Sequence, residues 1–415
     1  MNPFKELPKD SKINYENWGA LAVKPYDKNA TSPYTKTRVI LMNGTEFESN
    51  WFLHHLNRHC LNNDIRRVAA EIRRQEQQQQ KRICALKPLD ESILETTIGY
   101  EQLAVDLTAE MAQKEPNPIV KEQLDFALLE DFDHLYRYAN LLDMDEGVHA
   151  ERLVGGYTEI TPARPTIAEH RHPKDDIRRY INCWQDSLIT RLHTGIITAA
   201  EQQTMNYYMN IAGFYHNDLG RKLYTEIAMI EEQHVSGYGS LMDPSSTLLE
   251  GWVMHEYTEC YLYYSCYQDE SDPRIKKIWL EHFEQELTHL KIASDILKKY
   301  EGREWEQLFV GGADFPSLIK LKSNINYIRE VMNTVRNSAY RETTVKIDDL
   351  PDSADYFKYQ RKVNSTIGQV ASHNVIEKYI KKNGQDYRFE VKPNPEKVLR
   401  DRKVDNTDLG RKKGV

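Results

Sequence analysis

The chain has 415 residues, and 55 Lys and Arg against 63 Asp and Glu give it a formal net charge of −8. This balance argues against a nucleic-acid-binding protein, because recognition of phosphates needs an excess of basic charge. A hydrophobic content of 40% and a charged content of 28% are typical of a globular protein, and the length allows two or three domains.

Signals for targeting, membrane insertion and disulfide bonding are missing from the sequence. No apolar run is long enough to span a membrane, and residues 1–8 lack the pattern of a secretory signal. The five cysteines include no Cys-x-x-Cys pair, which argues against a disulfide framework and against a cysteine-based zinc site. We therefore expect a cytoplasmic protein that does not enter the membrane.

The first 45 residues are polar and are predicted to form an irregular N-terminal segment. Within it, the apolar run at 38–42 favours a short strand that ends at the Asn-Gly turn at 43–44. A long helix is predicted from about 46 to 86, because Thr45-x-x-Glu48 has the form of a capping box. Its polar second half, at 71–82, is interpreted as a solvated face.

Three helical hairpins follow, at 92–143, 198–242 and 247–300, and each combines an N-terminal cap with a turn in its middle. The first and third open with Ser-x-x-Glu and Thr-x-x-Glu capping boxes, and the second is predicted to open in the same way at Thr198-x-x-Glu201.

Two further amphipathic helices are predicted, at about 174–193 and 316–336. We assign residues 46–300 to one helical domain. We assign 301–415 to C-terminal helices and a polar, basic tail, which is interpreted as a solvated terminus.

The first and third hairpins are related by an internal repeat. A shift of 155 residues aligns them without a gap and places Glu101 on Glu256 and His134 on His289. The matched caps and turns follow from the hairpin shape alone. The hairpin shape does not explain the matched acids and histidines inside the helices, so these residues indicate a shared chemical role.

Each repeat contains a Glu followed thirty residues later by an acid-x-x-His pair. Acid and His three residues apart lie on one helical face, and an antiparallel hairpin brings the first Glu level with them. The glutamates lie on apolar stripes, where a carboxylate is costly unless it is paired or bound to metal. The predicted metal ligands of these two hairpins are Glu101, Asp131, His134, Glu256, Glu286 and His289.

This set resembles that of the ferritin-like superfamily of di-metal carboxylate proteins, such as rubrerythrins and the ribonucleotide reductase small subunit. The resemblance covers about 92–300 and implies an all-α, ferritin-like four-helix bundle elaborated with additional helices. It also implies a centre of two Fe ions, or of Mn and Fe, held by the six side chains. Asp131 departs from the usual Glu, and Glu130 is the alternative ligand.

The second hairpin leaves the pairing of the hairpins open. Glu231-x-x-His234 also looks like a rubrerythrin metal helix, so both residues are predicted ligands as well. Glu201 lies thirty residues before Glu231, but we interpret it as part of a capping box. Hairpins one and three are the favoured builders of the site. In the alternative arrangement, hairpin two contributes Glu231 and His234 together with one of its neighbours. Glu259 is an additional carboxylate on the same face as Glu256.

Other histidines are interpreted differently. His54, His55 and His59 have helical spacing, and His170 and His172 lie in a predicted loop. Partly buried polar contacts explain the first three without metal. No functional role is assigned to the last two.

The function expected from these residues is that of a di-iron (or Mn/Fe) carboxylate oxidoreductase that activates O2 or reduces peroxide. Because there is no Cys-x-x-Cys pair, the electrons are expected from an external redox partner. The alternative is a non-enzymatic iron-binding protein or ferritin-like scaffold. The sequence identifies neither catalytic residues nor the small-molecule substrate, and it leaves a homo-oligomer open.

Overall fold

The structure, a computed structural model, describes residues 1–164, 169–366 and 369–384, together with Asp386 and Arg388. Within these residues the protein is mainly helical and its only sheet has two strands, so the predicted all-α class is confirmed. No helix of the described part is long and apolar enough to cross a bilayer. The predicted basic tail at 402–415 lies outside the described residues.

The α-helices of the described residues vary in length from single turns to almost 30 residues. In chain order they are α1 (Trp18–Leu21), α2 (Pro33–His59), α3 (Asn63–Cys84), α4 (Ile93–Ala112), α5 (Pro118–Glu146), α6 (Ala150–Leu153), α7 (Leu188–Ala212), α8 (Asp218–Ser240), α9 (Leu248–Asp269), α10 (Pro273–Glu301), α11 (Trp305–Leu308), α12 (Ile325–Val331), α13 (Asp355–Val363) and α14 (Ala371–Asn383). The antiparallel strands β1 (Asn337–Tyr340) and β2 (Thr343–Lys346) lie between α12 and α13.

The long helices begin at strong local signals. The predicted capping boxes at Ser92 and Thr247 open α4 and α9, and both of their reciprocal hydrogen bonds are present. Asn or Asp caps the helix after each hairpin turn, with Asn62, Asn117, Asn217 and Asp272 at the starts of α3, α5, α8 and α10. These caps set where each hairpin turns and therefore which residues of its two helices are level.

The chain forms two compact units whose segments alternate along the sequence. Unit 1 contains residues 1–91, 180–200 and 242–321, and unit 2 contains 92–179, 201–241 and 322–415. The boundary within 180–241 falls inside α7, after Ala200. This division differs from the continuous helical domain at 46–300 expected from the sequence.

Unit 1 is built around four long helices. The hairpins α2–α3 and α9–α10 pack together, with α2 against α9 and α3 against α10. α2 and α9 bury polar side chains among apolar ones and have little amphipathic character, while α3 and α10 present a stronger apolar stripe to the interior.

Unit 2 also contains four long helical segments. α4 and α5 form a hairpin, α8 packs on α5, and the C-terminal half of α7 contributes Tyr208, whose ring contacts Tyr138 of α5 and Tyr224 of α8. α4 and α5 are buried along most of their length, because α6, α12 and α14 also pack on this pair. A helix that is covered on several sides is normally apolar all round, so buried acids on such a helix are unusual.

Three local predictions are wrong. Residues 38–42 are helical, because α2 begins upstream at Pro33 and buries Leu41 and Met42 in the core of unit 1. Thr45 is not a cap, since its hydroxyl donates to the carbonyl of Leu41 within the same helix. Thr198 donates in the same way to Thr194, so α7 does not begin there but at Leu188.

The remaining predicted helices also differ in extent. The helix expected at 46–86 is two helices, broken at 60–62. In the predicted helix at 174–193, only the residues from Leu188 onward are α-helical, as the start of α7. In the predicted helix at 316–336, the α-helix is limited to α12, Ile325–Val331.

Candidate metal centres

The core of unit 2 holds six side chains that bring carboxylates and imidazoles together. We call them cluster 2: Glu101, Asp131, His134, Glu201, Glu231 and His234. They come from all four helical segments of the unit, and none is more than 1% exposed. Ligand atoms of Asp131, Glu201, Glu231 and His234 lie within 4.8 Å of one another, as do those of Glu101, His134 and Glu231. Glu231 belongs to both groups.

Both histidines of cluster 2 direct Nδ1 toward its carboxylates. Nδ1 of His134 lies 3.0 Å from Oε1 of Glu231, and Nδ1 of His234 lies 3.2 Å from Oδ1 of Asp131. On the other side of each ring, Nε2 of His134 is 3.2 Å from Glu169, and Nε2 of His234 is 2.7 Å from Glu130. A carboxylate behind an imidazole is the usual support for a metal-bound histidine.

Glu130 is a supporting residue of cluster 2. Arg164 and Arg171 both donate to its Oε1, at 3.0 and 2.5 Å. Burial alone would raise the pKa of Glu130, but Arg171, the hydrogen bond with His234 and Arg164 together lower it well below its usual range. The carboxylate is thus held ionised and aimed at His234, which differs from the ligand role considered from the sequence.

Several carboxylate oxygens of cluster 2 have no hydrogen-bond donor among the described residues. Oε2 of Glu101, Oδ2 of Asp131 and Oε1 of Glu201 accept no hydrogen bond from the described residues. Burial raises the pKa of all three side chains. The pKa of Glu231 is instead about 2, because hydrogen bonds from the two imidazoles outweigh its burial. Buried oxygen atoms without donors, next to imidazole nitrogens, fit the donor set of a cation site.

The core of unit 1 contains a related but different set. We call it cluster 1: Glu46, Glu76, Glu256, Glu259, Glu286 and His289. Its residues come from α2, α3, α9 and α10, and all six are completely buried. Ligand atoms of Glu76, Glu256, Glu286 and His289 lie within 4.8 Å of one another, and so do those of Glu46, Glu76 and Glu259. Glu76 is the shared residue, as Glu231 is in cluster 2.

Cluster 1 has one histidine where cluster 2 has two. Nδ1 of His289 lies 2.9 Å from Glu76 and 3.0 Å from Glu286, while its Nε2 lies 2.8 Å from the amide oxygen of Gln75. The second acid-x-x-His position is occupied by Gln79, whose amide donates to Glu286 at 2.5 Å. Cluster 1 therefore offers five carboxylates and one imidazole.

The two clusters correspond residue by residue along the chain. Each of four helical hairpins has a Glu, an acid thirty residues later, and His or Gln three residues after that. Counterparts in the two units are 55 residues apart: Glu46 and Glu101, Glu76 and Asp131, Gln79 and His134, Glu201 and Glu256, Glu231 and Glu286, His234 and His289. The tyrosines Tyr208 and Tyr263 follow the same spacing, and they donate hydrogen bonds to Glu101 and Glu46 respectively.

The structure separates the predicted ligands into these two clusters. Glu101, Asp131 and His134 lie with Glu231 and His234, whereas Glu256, Glu286 and His289 lie with Glu46, Glu76 and Glu259. Among the described residues no group combines hairpins one and three, so that favoured pairing is wrong. The other histidines considered, namely His54, His55, His59, His170 and His172, belong to neither cluster.

Glu46, Glu76 and Glu201 are the site residues that the sequence reasoning missed. Glu201 was interpreted as a cap, although it lies inside α7 and is 1% exposed. Glu46 and Glu76 have the same thirty-residue spacing as the recognised pairs. Their hairpin escaped notice because Gln79 replaces the histidine that the pattern requires.

Comparison of the chain with protein-family models, with curated proteins and with solved structures finds no match. The functional argument therefore depends on the geometry and chemistry of the two clusters.

Proposed function

We propose that cluster 2 binds two Fe ions, or Mn and Fe, and that the protein is an oxidoreductase of the ferritin-like di-metal carboxylate type. The observation that carries this proposal is the complete ligand set. Two helical segments each supply one Glu, and two others each supply an acid-x-x-His pair. Their ligand atoms form two buried groups that share Glu231. This is the ligand pattern of di-metal carboxylate bundles.

The charges of cluster 2 support two divalent ions. Four carboxylates and two neutral imidazoles carry four negative charges, which two dications neutralise. One ion would be held by Glu101, His134 and Glu231, and the other by Asp131, Glu201, Glu231 and His234. An isolated buried carboxylate costs several kcal/mol, so a cluster of this kind favours cation binding strongly.

A pair of redox-active metal ions supplies the capacity to bind O2 or peroxide and to exchange electrons. The chain contributes the residues around it. Glu130 and Glu169 orient the two histidines, Tyr208 holds Glu101, and the surrounding helices exclude bulk water. With no Cys-x-x-Cys pair in the sequence, an external electron donor is part of the proposal.

One observation favours a second candidate function, namely metal binding without turnover. Every ligand side chain of cluster 2 is at most 1% exposed, so a large substrate has no direct contact with these ligands in this conformation. A ferritin-like scaffold that holds iron for structural reasons would have the same ligands.

The test is anaerobic loading of the full chain with Fe(II), followed by exposure to O2 or hydrogen peroxide in the presence of a chemical reductant. We expect metal-dependent consumption of the oxidant that is lost when His134 and His234 are both replaced by Ala. His149→Ala, at a half-exposed histidine in unit 2, is the matched control. Bound metal without consumption of either oxidant would favour the scaffold, and absence of metal binding at cluster 2 would refute both candidates.

A further inference from the structure

Unit 1 contains a cavity beside cluster 1. It has a volume of about 250 Å³ and lies among α2, the N-terminal half of α7 and α9. Its walls are mainly apolar and include Phe52, Trp184, Ile196, Met254, Leu262 and Leu308. Such walls favour the apolar part of a small organic molecule, and the volume is below the usual range for drug-sized ligands.

The cavity reaches the metal-ligand set at Glu259. This side chain lines the cavity and also belongs to the group that it forms with Glu46 and Glu76. His255 lines the same wall, with Nε2 at 3.5 Å from Glu259 and Nδ1 at 3.0 Å from Glu48. A molecule in the cavity would therefore lie against cluster 1.

Cluster 1 has its own need for a cation. Oε2 of Glu46 and Oε1 of Glu259 are buried and accept no hydrogen bond from the described residues. Five carboxylates surround one imidazole, and hard oxygen ligands suit Mn²⁺ as well as Fe²⁺. A bound cation would serve these buried acceptors, which no donor of the described residues reaches.

The charged groups of the cavity argue against an anionic ligand. Glu48, Asp243, Glu250 and Glu259 line it, while Arg191 is the cation that faces them apart from His255. Arg191 donates to the carbonyl of Leu308 and lies over the ring of Phe309. An anion would approach more acids than bases, and the mainly apolar walls disfavour burial of a charged group of either sign. An uncharged molecule therefore fits best.

We propose that cluster 1 is a second metal centre and that the adjoining cavity binds a small, uncharged, mainly apolar molecule against it at Glu259. This inference does not depend on the redox reaction proposed for cluster 2. The ligand set of cluster 1 borders this cavity at Glu259.

The test uses the full chain loaded with Mn²⁺ and indole as the probe. Mn²⁺ accelerates the relaxation of nearby protons steeply with decreasing distance, so indole in the cavity will relax faster in NMR spectra. Gly195 of α7 lines the cavity, and a Cβ atom there would meet nothing within 4 Å. Gly195→Leu should therefore fill the cavity and weaken indole binding about tenfold or more, with Gly195→Ala in between.

Controls locate the effect. Gly239→Leu changes a helical glycine of unit 2 that also has open space around it, and should leave indole binding unchanged. His289→Ala should remove the relaxation effect by weakening metal binding in cluster 1, and His134→Ala should not. Thermal unfolding of each variant shows that it is folded, and Gly195→Ala keeps the test valid if Gly195→Leu does not fold.

The outcomes are distinct. Faster relaxation that disappears in Gly195→Leu and His289→Ala supports the proposal. The proposal would be overturned if the relaxation of indole is not accelerated at all, if the acceleration persists in Gly195→Leu, or if His134→Ala abolishes it. Mn²⁺ and indole bound at cluster 1 without any metal at cluster 2 would refute the proposed function and leave this inference standing.

Discussion

At the residue scale, the most costly feature of the molecule is the burial of carboxylates that no donor serves. Glu201 and Glu259 illustrate it, since each has an oxygen without a hydrogen-bond partner among the described residues. Structural acids in a protein core are usually paired with Arg, as Glu130 is with Arg164 and Arg171. Within the core of unit 2, Glu130 has the arginine partners of a structural acid, whereas Glu201 has none in the described part of the chain and could serve as a metal ligand.

Glu169→Gln tests the support of one histidine. The change keeps the size of the side chain but replaces the carboxyl group, whose Oε2 lies 3.2 Å from Nε2 of His134, by an amide. Metal affinity of cluster 2 should fall roughly 10- to 100-fold, as for other residues behind metal-bound histidines. Isothermal titration calorimetry with Mn²⁺ measures this affinity. Glu232→Gln on α8 is the control, and equal affinities in both variants would show that Glu169 has no such role.

The titration of the buried groups predicts how the metal-free protein responds to pH. Burial raises the pKa of Glu101 and Glu201, and burial together with Glu76 raises that of Glu256 to about 8. The pKa of His234 is also raised, because Asp131 outweighs burial. Groups with raised pKa values stabilise the fold at low pH, and that stability is lost as the pH rises through the folded-state pKa.

The metal-free protein should therefore unfold at a lower temperature at about pH 9 than at about pH 6. Bound metal replaces the protons, so the loaded protein should lose less stability over the same range and metal uptake should release protons. Thermal unfolding with and without a chelator measures the first effect, and titration in two buffers of different ionisation enthalpy measures the second. A metal-free protein that gains stability with rising pH would contradict the assignment.

The sequence predicts most residues of cluster 2 because a histidine three residues after an acid is a specific pattern. It misses Glu46 and Glu76, because their hairpin carries Gln79 at the position of the histidine. Polar residues around 71–82 have the composition of a solvated face, yet Gln75, Glu76 and Gln79 are buried. Composition does not reveal that another pair of helices covers this stripe.

At the element scale, caps and turns decide the helix starts. Ser92 and Thr247 cap α4 and α9 as the sequence predicts, because both partners of each capping box are local. The same reasoning fails at Thr198, since the chain is already helical from Leu188. A Thr-x-x-Glu pattern inside a continuing helix has the same letters as a cap, and only the preceding residues distinguish the two.

Two glycines of α8 provide a matched test of helix packing. A Cβ atom at Gly220 would lie 2.1 Å from the ring of Tyr215, whereas one at Gly239 would meet nothing within 4 Å. Gly220→Ala should lower the free energy of unfolding by about 1–3 kcal/mol, because the ring must move. Gly239→Ala should be neutral or stabilising by up to about 1 kcal/mol.

Urea unfolding of the metal-loaded chain measures both changes. The difference between the two variants is informative, because both substitutions add the same methyl group to the same helix. Equal stabilities would contradict the close approach of Tyr215 to α8.

At the scale of the whole molecule, the chain carries two related clusters built on the same 55-residue offset, which differ at Gln79 and at Glu259. Unit 1 is interrupted by unit 2, so its two hairpins are separated by more than 160 residues, with Cys84 at the end of one and Leu248 at the start of the other. From the sequence, the hairpins that are adjacent along the chain or alike in ligands were the natural partners. The adjacent hairpins at 92–143 and 198–242 do pair in unit 2, whereas the hairpins alike in ligands do not, because the hairpin at 247–300 packs with α2–α3 in unit 1. No local signal reports that choice.

The most direct test is the metal content of the full chain after anaerobic loading with Fe(II), measured together with native mass spectrometry. We predict two ions in cluster 2 that are lost when His134 and His234 are replaced by Ala, while ions bound in cluster 1 are retained. Conversely, His289→Ala should lower the metal content of cluster 1 and spare cluster 2. A loaded protein without bound iron, or an unchanged iron content in the His134→Ala and His234→Ala double variant, would contradict the assignment of cluster 2 as a di-metal centre.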